Sequence, residues 1–384
     1  MKYRVLLVGK YRPDNQMSML RYYDMLFATL VGEGIPVTGI EPIPVIGNLP
    51  LGFLQKWLRY VDKYLVFPIL LKRKIRKLAS KAKAHGEKLI VHITDHSNAP
   101  YLSAAQSETV VITCHDLLAV RGALGEDTDC PASPMGKVLQ SKILSHLRQA
   151  KLVVCVSGAT ERDLQRLAPE TPSTVIHLPL NQSYKKLEAD DVQSKLQATN
   201  PKLVSKPYIL HVGSSLKRKN REGILRIFAR LIDQFDSQLV FAGEELHLHQ
   251  RELAQELGIA DRVIEIKSPS GVTMEALYNG AFAFLFPSKT EGFGWPIIEA
   301  QACGCPVLAA RTTSLPEVLG EGGLLRNLED EDGFVQDLLG LQDNATRAKL
   351  IQKGFQNLAR FDSHRITGHY LKTYAELVSQ ESPP

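Results

Sequence analysis

No run of this sequence approaches the ~20 consecutive apolar residues of a membrane-spanning helix. The apolar opening from Tyr3 to Gly9 is closed by Lys10 and Arg12 and shows no cleavage-site pattern. It therefore reads as a first buried strand rather than a secretory signal. Cysteine is scarce: Cys114, Cys130, Cys155, Cys303 and Cys305 are odd in number and scattered. The one-residue gap between Cys303 and Cys305 fits neither a thioredoxin nor a zinc pattern. A disulfide framework is thus excluded, and reduced thiols in a cytoplasmic protein are expected. The sequons at Asn181 and Asn344 then carry no meaning. A large excess of one charge is missing as well, because a net +5 is modest for 384 residues. No nucleic-acid partner is implied.

What is present is an alternation of apolar strand-like runs with helix-like stretches, in a length that suggests about two domains. The first series has strands at 3–9, 35–40, 88–93, 109–114, 151–156 and 173–178, with helices at 16–31, 54–84, 135–149 and 158–167. Ser157 is placed to cap the last of these helices. The stretch 183–206 is polar, contains Pro201, and reads as a linker with room for a short helix. A second series follows, with strands near 207–213, 238–242, 262–266, 282–286 and 306–310, and a helical tail from 329. The expected fold class is α/β, with two Rossmann-like, doubly wound domains facing a central cleft: 1–182, then 207–363. A final helix over 364–384 is placed to pack back on the first domain. In such sheets ligands bind at the carboxyl ends of strands.

The chemistry concentrates between Phe284 and Val307. A strand ends at Pro287, a loop with Gly292 and Gly294 follows, and Pro296 suits the first turn of a helix. The amides of Trp295, Ile297 and Ile298 would then form an anion site, favoured by unpaired N–H groups and the helix dipole. Glu291 and Glu299, seven residues apart in between, flank this site and could accept hydrogen bonds from sugar hydroxyls.

This run resembles the Glu-x7-Glu donor motif of retaining glycosyltransferases in family 4, which share the GT-B fold. The likeness extends through Pro287-Ser288 and Glu291-Gly292-Phe293-Gly294 to Glu299-Ala300, Cys303-Gly304 and Pro306-Val307, and on to Leu315-Pro316-Glu317-Val318. By resemblance, Glu291 binds the transferred sugar, Glu299 binds the ribose, and the amides after Gly292, including those of Phe293 and Trp295, hold sugar and diphosphate. The segment Gly213-Ser214-Ser215-Leu216-Lys217-Arg218-Lys219-Asn220 is similar to the family's diphosphate-binding segment, in a mannosyltransferase-like branch. Lys219 would neutralise the departing diphosphate. Ser214 stands where arginine is usual, Asn220 where glycine is usual, and Arg218 would supply the missing charge. His115-Asp116, at the end of an apolar strand, resembles the family's His-Asp pair, with His115 aligning the donor sugar. Val91 to Ser97 resembles another cleft loop, and Val156 to Leu164 a capping segment. The family's double-glycine loop after the first strand is absent, since Gly9 is followed by Tyr11 to Gln16.

The resemblance implies transfer of a hexosyl group from a GDP- or UDP-sugar to a saccharide or lipid-linked hydroxyl, in cell-surface polysaccharide or glycolipid assembly. His115, Lys219 and Glu291 would be catalytic, with no cofactor and no metal. A phosphorylase, epimerase or hydrolase on the same scaffold and a non-catalytic nucleotide-sugar-binding scaffold are the rival readings. Asp127-Thr128-Asp129 reads as a mobile loop near the acceptor rather than a metal motif. Lys56 to Lys88 carries eleven basic residues interleaved with Trp57, Tyr60, Tyr64 and Phe67. It reads either as a peripheral membrane contact through 54–84 or as a core-facing helix with a solvated lysine face.

Overall fold

In the computed structural model, residues 2–49, 52–180 and 182–380 are described, except for the side chains of Phe53 and Lys56. Asn181 of the first sequon and the side chain of Lys56 in the basic stretch lie outside the described residues.

The apolar runs form strands β1 (Lys2–Val8), β2 (Val37–Ile40), β3 (Glu87–Ile93), β4 (Thr109–Cys114), β5 (Leu152–Cys155) and β6 (Ser173–Val175). They pair in parallel in the order β2-β1-β3-β4-β5-β6. The second series is β7 (Tyr208–Gly213), β8 (Gln238–Gly243), β9 (Val263–Lys267), β10 (Ala283–Phe286), β11 (Val307–Ala310) and β12 (Leu324–Arg326). Its order is β12-β11-β10-β7-β8-β9, again parallel. Parallel strands covered on both faces become continuous apolar runs rather than alternating ones. Accordingly β4, β10 and β11 are buried at every position. Side chains such as Leu6, Val91 and Ile112 are fully buried, each contributing about 1.5–3 kcal/mol.

In each sheet the strand order reverses at one point: between β1 and β3 in the first, and between β7 and β10 in the second. The loops leaving those strands diverge to opposite faces and leave a crevice at their carboxyl ends. Each crevice collects the loops that follow its two strands.

The chain divides into two units, 1–181 with 363–384, and 182–362. The stretch read as a linker belongs to the second unit. It contains the helix Ala189–Thr199, whose buried Val192 and Leu196 pack beside Gly280 and the Tyr208 hydroxyl. Only two of its side chains are buried, so its polar sequence hides the amphipathic period. Ser157 caps Gly158–Leu167 by accepting from the Thr160 N–H at 3.1 Å. The helix Ser363–Gln380 lies in the first unit, where Tyr370 meets the Tyr22 hydroxyl at 2.7 Å. His92 bridges Tyr374 at 2.5 Å and Thr113 at 2.7 Å, so both its ring nitrogens are engaged. Three short elements escape sequence periodicity: the 3-10 run His96–Ala104, interrupted by Pro100, and the helices Leu118–Ala123 and Leu315–Leu319.

Candidate functional site

In the second unit the site is built from the ends of β7 and β10. Beyond Gly213 the chain makes a 3-10 turn, Lys217–Lys219, closed by Asn220 at φ 54°. Only glycine and a few polar residues, asparagine foremost, take this left-handed conformation readily. Asn220 therefore fills a glycine position without changing the backbone. A Cβ at Gly213 would come within 3.3 Å of the Lys219 side chain, so the glycine gives that stem its channel.

The loop after β10 is held by hydroxyls from the segment following β11. Thr312 Oγ1 donates to Ser288 O, Thr313 Oγ1 accepts from the Glu291 N–H, and Ser314 Oγ reaches the carbonyls of Glu291 and Phe293. The Lys289 N–H donates to Arg218 O at 2.7 Å and ties the two loops together. The Glu291 carboxylate then lies 2.6 Å from Lys219 Nζ and 2.8 Å from Arg218 Nη1. Lys219 also sits over the Phe286 ring at 4.9 Å. Burial pushes the Glu291 carboxyl up, but Lys219 and Arg218 outweigh it and hold the group below its usual range. Burial, with Arg218 and Arg221 nearby, holds Lys219 below the usual lysine range against the pull of Glu291.

Gly294 takes φ 105° and opens the helix Trp295–Ala302, with Pro296 in its first turn. The Ile297 N–H donates to Gly294 O at 3.0 Å, so the free amide expected there is engaged. A tight turn at a glycine cap closes that donor inward. Glu299 is buried and accepts from the Tyr278 hydroxyl at 2.9 Å. The structure thus groups Glu291 with Lys219 and Arg218, while Glu299 has a partner of its own. Ser214 is half-buried between Gly213 and the buried Ser215.

Sequence reading passed over several contributors. Arg221 is 1% exposed, and its guanidinium donates to the carbonyls of Gly213, Glu244 and Glu245 and to Ser215 Oγ. It fastens the ends of β7 and β8, where a Cβ on Gly243 would meet Gly213 O at 2.5 Å. His211 lies behind Lys219, bonded to Leu285 O at 3.0 Å, and burial drops its imidazole to about 3. The signal for the loop anchors was the hydroxyl triplet Thr312-Thr313-Ser314 directly after β11. Arg221 gave none, because an arginine opening a helix ordinarily faces solvent.

In the first unit, the crevice between β1 and β3 holds Lys10, whose Nζ meets Asp95 Oδ2 at 2.9 Å and also Gln16. Asp95 Oδ1 accepts from the Ser97 N–H at 2.7 Å. Burial opposes ionisation of Asp95, but Lys10, His96 and His115 prevail and hold it well below the carboxylate range. His115 follows β4, is buried, and engages Thr94 O at 2.9 Å through Nε2 while Nδ1 has no partner. Burial lowers its pKa, with Asp95 opposing. Asp127 and Asp129 lie in bends. Among the described residues no three or more His, Cys, Asp or Glu side chains gather as a metal site would require.

Residues 192–356 match the model of the family described as glycosyl transferases group 1. The chain is 27% identical over 278 residues to O-antigen chain mannosyltransferase B of Escherichia coli, covering 70% of each. Its fold matches sucrose-phosphate synthase of Thermosynechococcus elongatus with a TM-score of 0.74 at 19% identity, over 99% of this chain and 100% of that one. It also matches Anabaena HepE, solved in complex with UDP-glucose, with a TM-score of 0.68 at 17% identity, over 97% and 99%. These matches and the two parallel sheets define the class as an α/β protein of the GT-B fold. Within that class, the chain is a glycosyltransferase whose residues 192–356 match the group 1 family.

Proposed function

We propose that this enzyme is a retaining, family 4-type hexosyltransferase. It moves mannose, or failing that another hexose, from a nucleoside diphosphate sugar to a hydroxyl acceptor in cell-surface polysaccharide or glycolipid assembly. The observation that carries this reading is the convergence of Lys219 and Arg218 on Glu291 where the second sheet's strand order reverses. Two cations and one carboxylate leave one net positive charge, suited to a diphosphate whose negative charge grows as the sugar departs. Their charge makes a divalent metal dispensable. A carboxylate offers about four acceptor positions, so Glu291 can hold its cations and still accept from sugar hydroxyls.

In a front-face route the leaving diphosphate takes the proton of the incoming hydroxyl, and no protein nucleophile is needed. His115 hydrogen-bonds the transferred sugar in this reading; its unpartnered Nδ1 supports the role. The likeness to a mannosyltransferase supports GDP-mannose as donor, and UDP-sugars rank next. No described helix is long and apolar enough to cross a membrane, and the reading includes a cytoplasmic location with a peripheral membrane contact through 54–84.

The test is incubation of the purified enzyme with GDP-mannose and UDP-hexoses, together with saccharide and lipid-linked acceptors, without metal. NMR then assigns the product's anomeric configuration. Retention with GDP-mannose is expected. An inverted product would reject the front-face route, and transfer only with added metal would reject the charge argument.

A further inference from the structure

The basic stretch forms one continuous helical rod: Gln55–Val61, a π turn Asp62–Val66, then Phe67–Ala84. Phe67, Leu71, Ile75, Leu78 and Ala82 recur at helical spacing and are buried against the first unit's core. That stripe turns Ile69, Arg73, Arg76 and Lys77 toward the opposite, solvent side. Ile69 is 58% exposed, Leu65 just before it 63%, and Trp57 56%. A core-facing helix with a solvated lysine face explains the lysines. It leaves the outward tryptophan, leucine and isoleucine without a purpose.

A second segment with exposed apolar residues is fastened beside the rod. Asp62 is fully buried and accepts the N–H groups of Val45, Ile46 and Gly47 at 3.1, 3.1 and 2.7 Å. This carboxylate pins the loop beside the rod, so exposed Ile43 and Val45 (57% and 53%) lie next to it. Single exposed apolar side chains are ordinary, but a cluster of them on one face marks an interaction surface.

Charge selects the partner. From residue 63 to 86 there is no acidic residue, against Lys72, Arg73, Lys74, Arg76, Lys77, Lys81 and Lys83 on the second part of the rod. Asp62 is consumed internally, and Lys63 is turned inward onto Asp14 and the rings of Tyr11, Tyr60 and Tyr64. The surface therefore presents an apolar end and an uncompensated basic flank on one helix. A polyanion such as nucleic acid would use only the flank. An anionic bilayer uses both, with apolar side chains in the acyl boundary and cations over lipid phosphates.

We propose that this face of the first unit docks on an anionic lipid bilayer, with Trp57, Leu65 and Ile69 inserted and Arg73, Arg76 and Lys77 against the headgroups. The inference rests on the membrane contact in the proposed function and names its residues and lipid chemistry. It places the enzyme where a lipid-linked acceptor is presented.

The test is co-sedimentation of the full chain with phosphatidylcholine vesicles, with or without about one third phosphatidylglycerol. Binding is expected only to the anionic vesicles and should weaken with added salt. Each basic residue near such a surface contributes about fivefold to partitioning. Arg73→Glu/Arg76→Glu/Lys77→Glu should therefore lose binding by at least about a hundredfold, and Trp57→Ser/Leu65→Ser/Ile69→Ser should lose it comparably. Circular dichroism and urea unfolding of the first unit should be unchanged in both variants and show that they fold, while thermal stabilisation by nucleoside diphosphate, read in parallel, reports the donor site. Failure of the parent chain to bind anionic vesicles overturns the proposal while leaving the donor reading standing. Binding that survives the serine variant, and is matched by an oligonucleotide, assigns a polyanion site instead and also overturns it.

Discussion

At the reversal point of the first sheet Lys10 meets Asp95 at 2.9 Å, and at that of the second Lys219 meets Glu291 at 2.6 Å. Both pairs are buried and both link loops that leave neighbouring strands at their carboxyl ends. Their surroundings differ. Asp95 is also the cap of a 3-10 helix, and Lys10 is further held by Gln16, so that pair is a neutral joint between two loops. Glu291 carries a second cation, Arg218, and sits in a loop that runs through Gly294 into a helix. One topology thus yields a fastening in one unit and a cluster with one excess positive charge in the other. The difference lies in one added arginine and a glycine-bearing loop, not in the sheet.

The largest stability effect should fall on the fastening. Asp95→Asn strands a buried lysine and weakens a helix cap, and breaking such a pair costs about 3–5 kcal/mol. Urea denaturation should show the first unit destabilised by that amount. Glu291→Gln, where two mutually repelling cations lose their anion, should keep nucleoside diphosphate affinity at or above that of the parent while sugar transfer falls about a hundredfold. Titration with the nucleotide beside a transfer assay checks this, and weaker nucleotide binding would merge the two pairs into one type.

Acid should strain both units through a buried histidine each. Burial takes His92 and His211 to about 3, below the value near 6.5 of an unfolded chain. A lowered folded pKa gives stability that is complete above about 6.5 and is lost as pH falls toward 3. The loss by pH 4 should be on the order of a few kcal/mol for each. Denaturation midpoints between neutral pH and pH 4 should show the slope, and His211→Phe should flatten the second unit's share of it.

The smallest effect concerns the turn before the second site. Asn220→Gly should be nearly neutral, whereas Asn220→Ala should cost about 1 kcal/mol for a left-handed alanine. Thermal melts of the two variants separate them.

The same comparison shows what the residues alone revealed. Strand positions were legible because buried parallel strands are continuous apolar runs, as in β4, β10 and β11. The loop from Pro287 to Pro296 was legible because glycine, proline and carboxylate occur there in an order that few backbones require. The Lys10–Asp95 joint was not, since 85 residues separate its partners and nothing in the Val91 to Ser97 run points to Lys10 as the partner of Asp95. The helix Ala189–Thr199 was legible only as room for a short helix in a linker, because just two of its side chains, Val192 and Leu196, are buried, too few to set a period. The Ile297 amide was misjudged because sequence places a helix start but not the turn that closes one of its donors. The pairing of Glu291 with both Arg218 and Lys219 depends on β7 and β10 being neighbours, which only the strand order supplies.

The central claim is that the second reversal point holds the nucleotide and the first does not. Thermal stabilisation by GDP, UDP and their sugars should be measured on the parent chain, Lys219→Ala and Lys10→Ala. The account predicts a shift selective for one base, lost in Lys219→Ala and retained in Lys10→Ala. An equal loss in both variants, or no shift with any nucleotide, would contradict it.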